Sequence, residues 1–348
     1  MGAMRWLDEH NTLEYLREVG WIDAREAAEV HPLTGGVSNQ VLYVARAKTA
    51  GPDFVVKQVR PQLRVPDPWF STVERIWREV EVLEVCRDLL SQPVDPSLRV
   101  ELPQVLHTDR EEFVFAMTAA PREHRVWKRE LLDGRTSPEI ARQCGRLLGR
   151  LHGASWCSPA VEARLADRSI FDELRLDPYY RTVAQRHPDV ADKFTRLIDS
   201  VADHCRSLVH ADFSPKNLLL AGERLMMVDF ETGHYGDPAF DLGFFLAHLM
   251  LKAVNAAPGH GPYLDMTRQF WGGYRSELWA RIPRDESESL EARGILHFAG
   301  CTWARLDGKS QVDYLHDGNR RDLARNLCRA ILTEEPQRWE DVLGMVAF

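Results

Sequence analysis

The chain has 348 residues, 44% hydrophobic and 28% charged, with acids outnumbering bases 52 to 44. That length predicts two domains or one large one, and the composition excludes both wholesale disorder and a mini-protein scaffold. A formal charge of −8 with no uninterrupted basic run argues against nucleic-acid binding, which needs clustered Lys and Arg, and suits a cationic small-molecule partner.

Six cysteines stand far apart, at 86, 144, 157, 205, 301 and 328, with no Cys-x-x-Cys pair, which predicts reduced, mostly buried thiols. The opening residues lack a basic region followed by an apolar stretch, so no secretory signal is expected. The longest apolar stretch, Leu242 to Leu251, contains His248 and falls short of the ~20 residues that span a bilayer. The expectation is a soluble cytoplasmic protein without membrane contact.

Residues Thr12 to Glu18 and the following polar stretch read as a short helix, and Val30 to Arg46 as strand, glycine turn and strand, with the turn at Thr34-Gly35-Gly36-Val37-Ser38-Asn39. Phe54 to Val59 is a third strand interrupted by one cation, Lys57. Pro61, Pro66 and Pro68 break regular structure, and a helix is predicted over Trp69 to Leu90, with Ile76, Val80 and Leu83 at helical spacing. Two short strands follow, about Gln104 to Thr108 and Glu112 to Met117. The first third is thus a small, mostly antiparallel sheet with one long helix.

The joint Thr118-Ala119-Ala120-Pro121 divides the chain into an N-terminal lobe, 1–118, and a C-terminal lobe, 119–348. Beyond it, Glu139 to Ala154 carries Ile140, Cys144, Leu147, Leu148 and Leu151 on one helical face. Leu208-Val209, Leu218 to Leu220 and Leu225 to Val228 are too short for helices and read as brief strands that carry functional loops. Helices fill the remainder, roughly Asp241 to Ala253, Tyr263 to Leu278, Ser287 to Trp303 and Arg320 to Leu332.

The sharpest segment is Leu208 to Leu220, a polar loop bearing His210, Asp212 and Asn217 between two apolar strands, followed by Asp229-Phe230-Glu231 at the end of another strand. Phosphoryl transfer needs this set: one carboxylate orients the attacking hydroxyl, while a carboxamide and a second carboxylate hold magnesium on the triphosphate. In this pattern the sequence resembles the aminoglycoside phosphotransferase and choline kinase superfamily, relatives of the protein kinases, over roughly residues 25 to 310.

The resemblance implies a bilobal, protein-kinase-like α+β fold and an ATP- and Mg²⁺-dependent kinase acting on a small-molecule hydroxyl. It puts the catalytic base on Asp212 and the metal ligands on Asn217 and Asp229. Lys57 would contact the phosphates and be held by a helix carboxylate, with Glu79 preferred over Glu74 and Glu81. Gly35, Gly36, Ser38 and Asn39 would cover the phosphates, and Ala119 in the segment 115–120 would meet the adenine edge. Gly236-Asp237-Pro238-Ala239-Phe240-Asp241-Leu242 is similar to the segment that follows the metal acid in the superfamily, with Asp241 bracing the catalytic loop and capping the next helix. The sequence departs from the pattern at Ala211, where Gly is usual; Ala is tolerated there unless the backbone has positive φ. It also departs at Glu231, which stands where protein kinases have Gly.

Other residues keep two readings. Lys216 is either a surface lysine or a contact to the γ-phosphate. His210 is expected to fix the loop through backbone bonds, and His152 to pack its helix. Trp271, Tyr274, Trp279 and Trp303 are either core or an aromatic cage for a quaternary ammonium. Residues 303–310 are either a helix stop at Gly308 or a source of substrate contacts. Gly236-Asp237-Pro238 follows Asp229 too closely for a long protein-kinase activation segment. From a different class, the alternative is a catalytically silent nucleotide-binding module.

Overall fold

The computed structural model describes residues 4–33, 36, 38–47, 51–64, 68–91 and 99–346. After helix α1 (Thr12–Glu18), three strands follow, β1 (Ala28–Pro32), β2 (Asn39–Arg46) and β3 (Phe54–Val59). Helix α2 spans Arg75–Leu90, six residues shorter at its start than the spacing predicts, because 69–74 are engaged in other bonds: Trp69 Nε1 and Ser71 Oγ both donate to Glu173. Strands β4 (Val100–Glu101), β5 (Val105–Asp109) and β6 (Val114–Thr118) complete the N-terminal region. The sheet runs β1-β2-β3-β6-β5 with every pair antiparallel.

Two apolar clusters flank this sheet. Leu42, Val44, Phe54, Val56, Val114 and Ala116 pack against Leu7, Tyr15 and Leu16 of the N-terminal segment. The opposite side, with Val55, Val59, Phe115 and Met117, joins α2 and runs into the core of the helical remainder. Alternating side chains on β3 therefore face two different layers, and Lys57 falls on the side of the helical remainder.

The rest comprises β7 (Arg125–Val126), α3 (Trp127–Leu132), α4 (Pro138–Ser155), α5 (Pro159–Leu165) and α6 (Ser169–Phe171). A π-helical stretch, Asp172–Arg181, leads into α7 (Thr182–Arg186) and α8 (Ala191–Asp203). Strands β8 (Ser207–Val209), β9 (Leu218–Ala221), β10 (Arg224–Met227) and β11 (His234–Gly236) carry the polar loops. Helices α9 (Ala239–Ala256), α10 (Gly261–Leu278), α11 (Arg284–Asp307), α12 (Gly318–Glu334) and α13 (Trp339–Met345) end the chain.

Helices α4 and α10 approach closely because glycines face each other across them. A Cβ at Gly145 would lie 2.0 Å from the carbonyl of Phe270, and one at Gly273 2.3 Å from that of Arg142. Helix α9 is apolar and long enough by composition to cross a membrane, yet 89% of it is buried inside the protein. The β8–β11 pair and the β9–β10 hairpin bring two loops to one edge: 210–217 leaves β8, and 228–233 leaves β10.

Candidate active site

The loop after β8 is held by Asp241, on the first turn of α9. Its Oδ2 accepts the backbone N–H of His210 and its Oδ1 that of Ala211, both at 2.7 Å. Asp241 is itself fully buried and is met by His152 Nε2 at 3.3 Å, whose Nδ1 in turn bonds the hydroxyl of Tyr274 at 2.9 Å. His152 is therefore a polar support of the loop as well as a packed residue. The expected helix cap on Asp241 is corrected here: both its oxygens go to the loop, and Asp237 Oδ1 accepts from Ala239 N instead, while Arg293 pairs with Asp237. His210 Nδ1 accepts from the backbone N–H of Asp212 at 3.2 Å, and burial keeps the ring below the usual histidine range, so it is neutral.

Ala211 has φ +58°, the left-handed region in which a Cβ is strained. The tolerance expected for alanine was conditional on the opposite sign, so this residue pays a conformational penalty. Ala211→Gly should raise unfolding free energy by about 0.5–1 kcal/mol, the ~1–2 kcal/mol of strain released less the entropy glycine loses on folding. The denaturant midpoint measures it, and an unchanged or lowered midpoint would contradict the strain argument.

Within this frame Asp212 is buried and enclosed by donors. Arg175 reaches its Oδ1 at 2.8 Å, Lys216 its Oδ2 at 2.8 Å, and Asn217 Nδ2 donates to the same Oδ2 at 2.8 Å. Burial opposes the charge, but Lys216 and Arg175 outweigh it and hold the carboxyl below the usual range. Arg175, on the π-helical stretch, also donates through Nε to the carbonyl of Ala211 at 2.6 Å, which makes it both a strut of the loop and a partner of its acid. The side chain of Lys216 is 42% exposed, the open flank of the group.

Across the cleft Lys57 Nζ lies 2.5 Å from Glu79 Oε1 and 3.1 Å from Asp229 Oδ1. Glu79 is wholly buried, whereas Glu81 pairs with Arg78 and Arg164, and Glu74 takes the hydroxyl of Thr72. Burial opposes the ammonium of Lys57, yet Glu79, Asp229 and Glu231 hold it above the usual lysine range. Burial pushes Glu79 up, against the pull of Lys57. Asp229 has φ +72°, a second strained residue on a loop bearing chemistry.

Sequence reasoning missed Arg75, which is fully buried at the start of α2. Its Nε donates to Glu231 Oε2 at 3.2 Å, one terminal nitrogen to the carbonyls of Ser38 and Arg60, and the other to those of Ser71 and Thr72. Asn39 Nδ2 donates to the same Glu231 oxygen at 3.0 Å. Glu231 thus ties the start of β2 to the loop of Asp229, and Ser38 and Asn39 serve as anchors in that tie. Gly36 has open space around it, and Gly35 lies outside the described residues. The N–H of Ala119 is donated to the carbonyl of Asp53 at 3.3 Å.

The four aromatic residues do not converge. Trp271 stacks with Tyr274 and meets Trp279 edge to face, with the guanidinium of Arg275 3.8 Å from the centre of Trp279, while Trp303 belongs to a separate group with Phe194 and His187. Helix α11 does stop at Gly308, and Arg305 within the same segment reaches Tyr179 and Ser310.

Among the described residues no group of three or more His, Cys, Asp and Glu gathers at metal-binding distance. The site does offer hard oxygen donors. Asn217 spends its NH₂ on Asp212, leaving the carboxamide oxygen as its donor atom, and Asp229 has a second carboxylate oxygen beyond the one on Lys57. Both are hard oxygen donors of the kind that holds a divalent cation whose remaining ligands come from phosphates.

A small antiparallel sheet ahead of a helical remainder, with polar loops at their junction, is the protein-kinase-like architecture. Its solved neighbours share that fold: an ethanolamine kinase from Plasmodium vivax (TM-score 0.56, 10% identity, 93% of this chain and 89% of that one) and a choline/ethanolamine kinase family protein from Mesorhizobium loti (TM-score 0.52, 18% identity, 96% and 98%). The chain belongs to the phosphotransferase enzyme family, whose model matches residues 29–282. It is similar along its length to a methylthioribose kinase from Yersinia pseudotuberculosis serotype O:3, 26% identical over 97% of this chain and 94% of that protein. The chain is accordingly a small-molecule kinase that uses ATP.

Proposed function

We propose that the cleft between 1–118 and 119–348 transfers the γ-phosphoryl group of ATP to a hydroxyl of a small molecule, with Asp212 receiving the hydroxyl proton. The observation that carries this reading is the arrangement of Asp212, Asn217, Asp229, Lys57 and Glu79 at one edge, each tied to another by a direct bond. Lys57, held by Glu79, orients the phosphates. Gly36, Ser38 and Asn39 stand above them, and the backbone of Ala119 meets the adenine. Magnesium, held by Asn217 and Asp229, would neutralise charge building on the phosphates.

The incoming hydroxyl takes the place of Lys216 on Asp212, and the freed ammonium turns to the transferred group. The attacking oxygen bonds phosphorus as the bond to the bridging oxygen breaks, ADP leaves, and the proton passes to Asp212. An acid held below the usual range is a weak base, which suffices because a loose phosphoryl transition state needs little proton removal before the phosphorus bond forms. The methylthioribose kinases that the chain resembles make a sugar hydroxyl the first acceptor to test.

Asp229→Ala tests the metal assignment. Turnover in saturating ATP should fall by at least about a hundredfold, as when a centre that stabilises transition-state charge is lost. The thermal stabilisation given by Mg²⁺ with ATP should shrink toward that of ATP alone. Unaltered magnesium dependence together with unaltered turnover would show the assignment to be wrong.

A further inference from the structure

Helix α9 is apolar throughout its length except for a few side chains, and two of these, His248 and Lys252, sit one turn apart on one face. Both are buried, at 6% and 2% exposure. Among the described residues Lys252 Nζ has one hydrogen bond, to the carbonyl of His248 at 3.0 Å, and lies 5.3 Å from the centre of the Tyr314 ring. No carboxylate among the described residues pairs with it; the nearby Asp313 is exposed and is taken by Lys128 at 2.9 Å. His248 Nε2, Tyr314 Oη and Arg305 Nε are buried without a hydrogen-bond partner among the described residues.

This group borders the catalytic loop. The guanidinium that holds Asp212, that of Arg175, lies 5.5 Å from the Tyr179 ring and 5.6 Å from the Phe244 ring. Phe244 meets His248 at 4.9 Å between ring centres, and Arg305 reaches the hydroxyl of Tyr179 at 3.3 Å. The same aromatic rings therefore border both Arg175, which holds Asp212, and a cluster that contains Lys252, Lys128 and Arg305. A buried cation and several buried polar atoms without partners are costly, and a ligand that brings negative charge and acceptor oxygens removes the cost. Burial, with Lys128 and Arg305 adding to it, pushes Lys252 down to about 7, and burial with the surrounding cations keeps His248 neutral. A neutral polyol would satisfy the polar atoms and leave the charge uncompensated, and a cationic acceptor would be repelled.

We infer that the phosphoryl acceptor carries an anionic group, a carboxylate or a phosphate, which docks on Lys252 and Arg305 with oxygens on His248 and Tyr314 while its hydroxyl faces Asp212. The inference rests on the phosphotransferase reading of the site. It reverses the cationic partner that net charge suggests, because net charge reports the whole surface and these cations are local and buried.

The full chain and Lys252→Met are to be assayed with ATP and Mg²⁺ against glycerate paired with glycerol, glucose 6-phosphate paired with glucose, and choline. Thermal melts are taken with each compound. The expected result is a preference for an anionic member over its neutral counterpart of at least about tenfold in kcat/KM, collapsing to within a few-fold in Lys252→Met. Which pair shows it separates a carboxylate from a phosphate. The anion should raise the melting temperature of the full chain and not that of the variant. Without ligand, Lys252→Met should melt no lower than the parent, since a buried amine with no carboxylate partner among the described residues has been replaced by an apolar side chain. Tyr314→Phe, which removes only a hydroxyl, should weaken the same preference several-fold.

Preference for glycerol, glucose or choline, or an anion preference that survives in Lys252→Met, overturns the inference while leaving phosphotransfer intact. Anion-induced stabilisation that depends on Lys252, with no compound phosphorylated, leaves the anion site standing and removes its support from the phosphotransferase reading. Neither stabilisation nor turnover with any anion overturns the inference.

Discussion

Asp212→Asn is expected to lower kcat by about three orders of magnitude, within the ~10²–10⁴ that a positioned proton acceptor contributes, while ATP still stabilises the protein against heat. The carboxamide keeps the size of the side chain and can still accept from Arg175, so the loop retains its hold through Asp241 and Ala211. What is lost is the charge that orients and deprotonates the acceptor hydroxyl. The change also leaves Arg175 and Lys216 without their shared anion, so some loss of stability accompanies it, and the variant must be compared at a temperature where both proteins are folded. Steady-state kinetics with a coupled ADP assay gives kcat, and thermal melts with ATP give the binding. Turnover within tenfold of the parent would remove Asp212 from the reaction.

Arg75→Met should have the largest effect on stability of any single side chain discussed here, about 3–5 kcal/mol, the cost of breaking a buried ion pair by removing one partner. Methionine fills much of the same volume, so the loss is electrostatic: Glu231 is left buried with only Asn39 as a donor among the described residues, and the carbonyls of Ser38 and Arg60 lose the donor that Arg75 gave them. Because these groups join the sheet to the loop of Asp229, the variant should also lose affinity for Mg²⁺ with ATP. Arg75→Met combined with Glu231→Gln should recover part of the stability, since the uncompensated charge is gone. Denaturant unfolding measures both. A single variant within about 1 kcal/mol of the parent would show that the buried pair carries little.

Most of the kinase-like architecture is legible in the sequence because its signals are local. Strand β3 coincides with its predicted span, helix α1 ends at Glu18 before the polar stretch expected to continue it, and the catalytic loop stands out because polar residues interrupt two apolar strands. Glu79 is separable from Glu74 and Glu81 only in three dimensions, since all three lie on or beside one helix and just one turns inward to Lys57. Arg75 was hidden among many charged helix residues; the usable signal was its spacing, one turn before Glu79, which places both on the face toward the cleft. Arg175 had no such signal, because the π-helical stretch breaks the period by which a helix face is read. The φ of Ala211 likewise comes from the demand of Asp241 for two successive N–H groups, a tertiary constraint that composition does not carry. His248 and Lys252 were readable as polar residues one turn apart in an apolar helix, but the side chains that complete their group, Lys128, Arg305 and Tyr314, come from α3, α11 and the segment before α12.

The most direct test of the account is the mass of the product formed by the full chain from ATP, Mg²⁺ and a mixed panel of sugars, hydroxy acids, sugar phosphates, amino alcohols and aminoglycosides. The account predicts one acceptor that gains a single phosphoryl group in step with ADP release, and no such product from Asp212→Asn. ATP binding with no phosphorylated compound from any member of the panel, or a product that persists in Asp212→Asn, would contradict it.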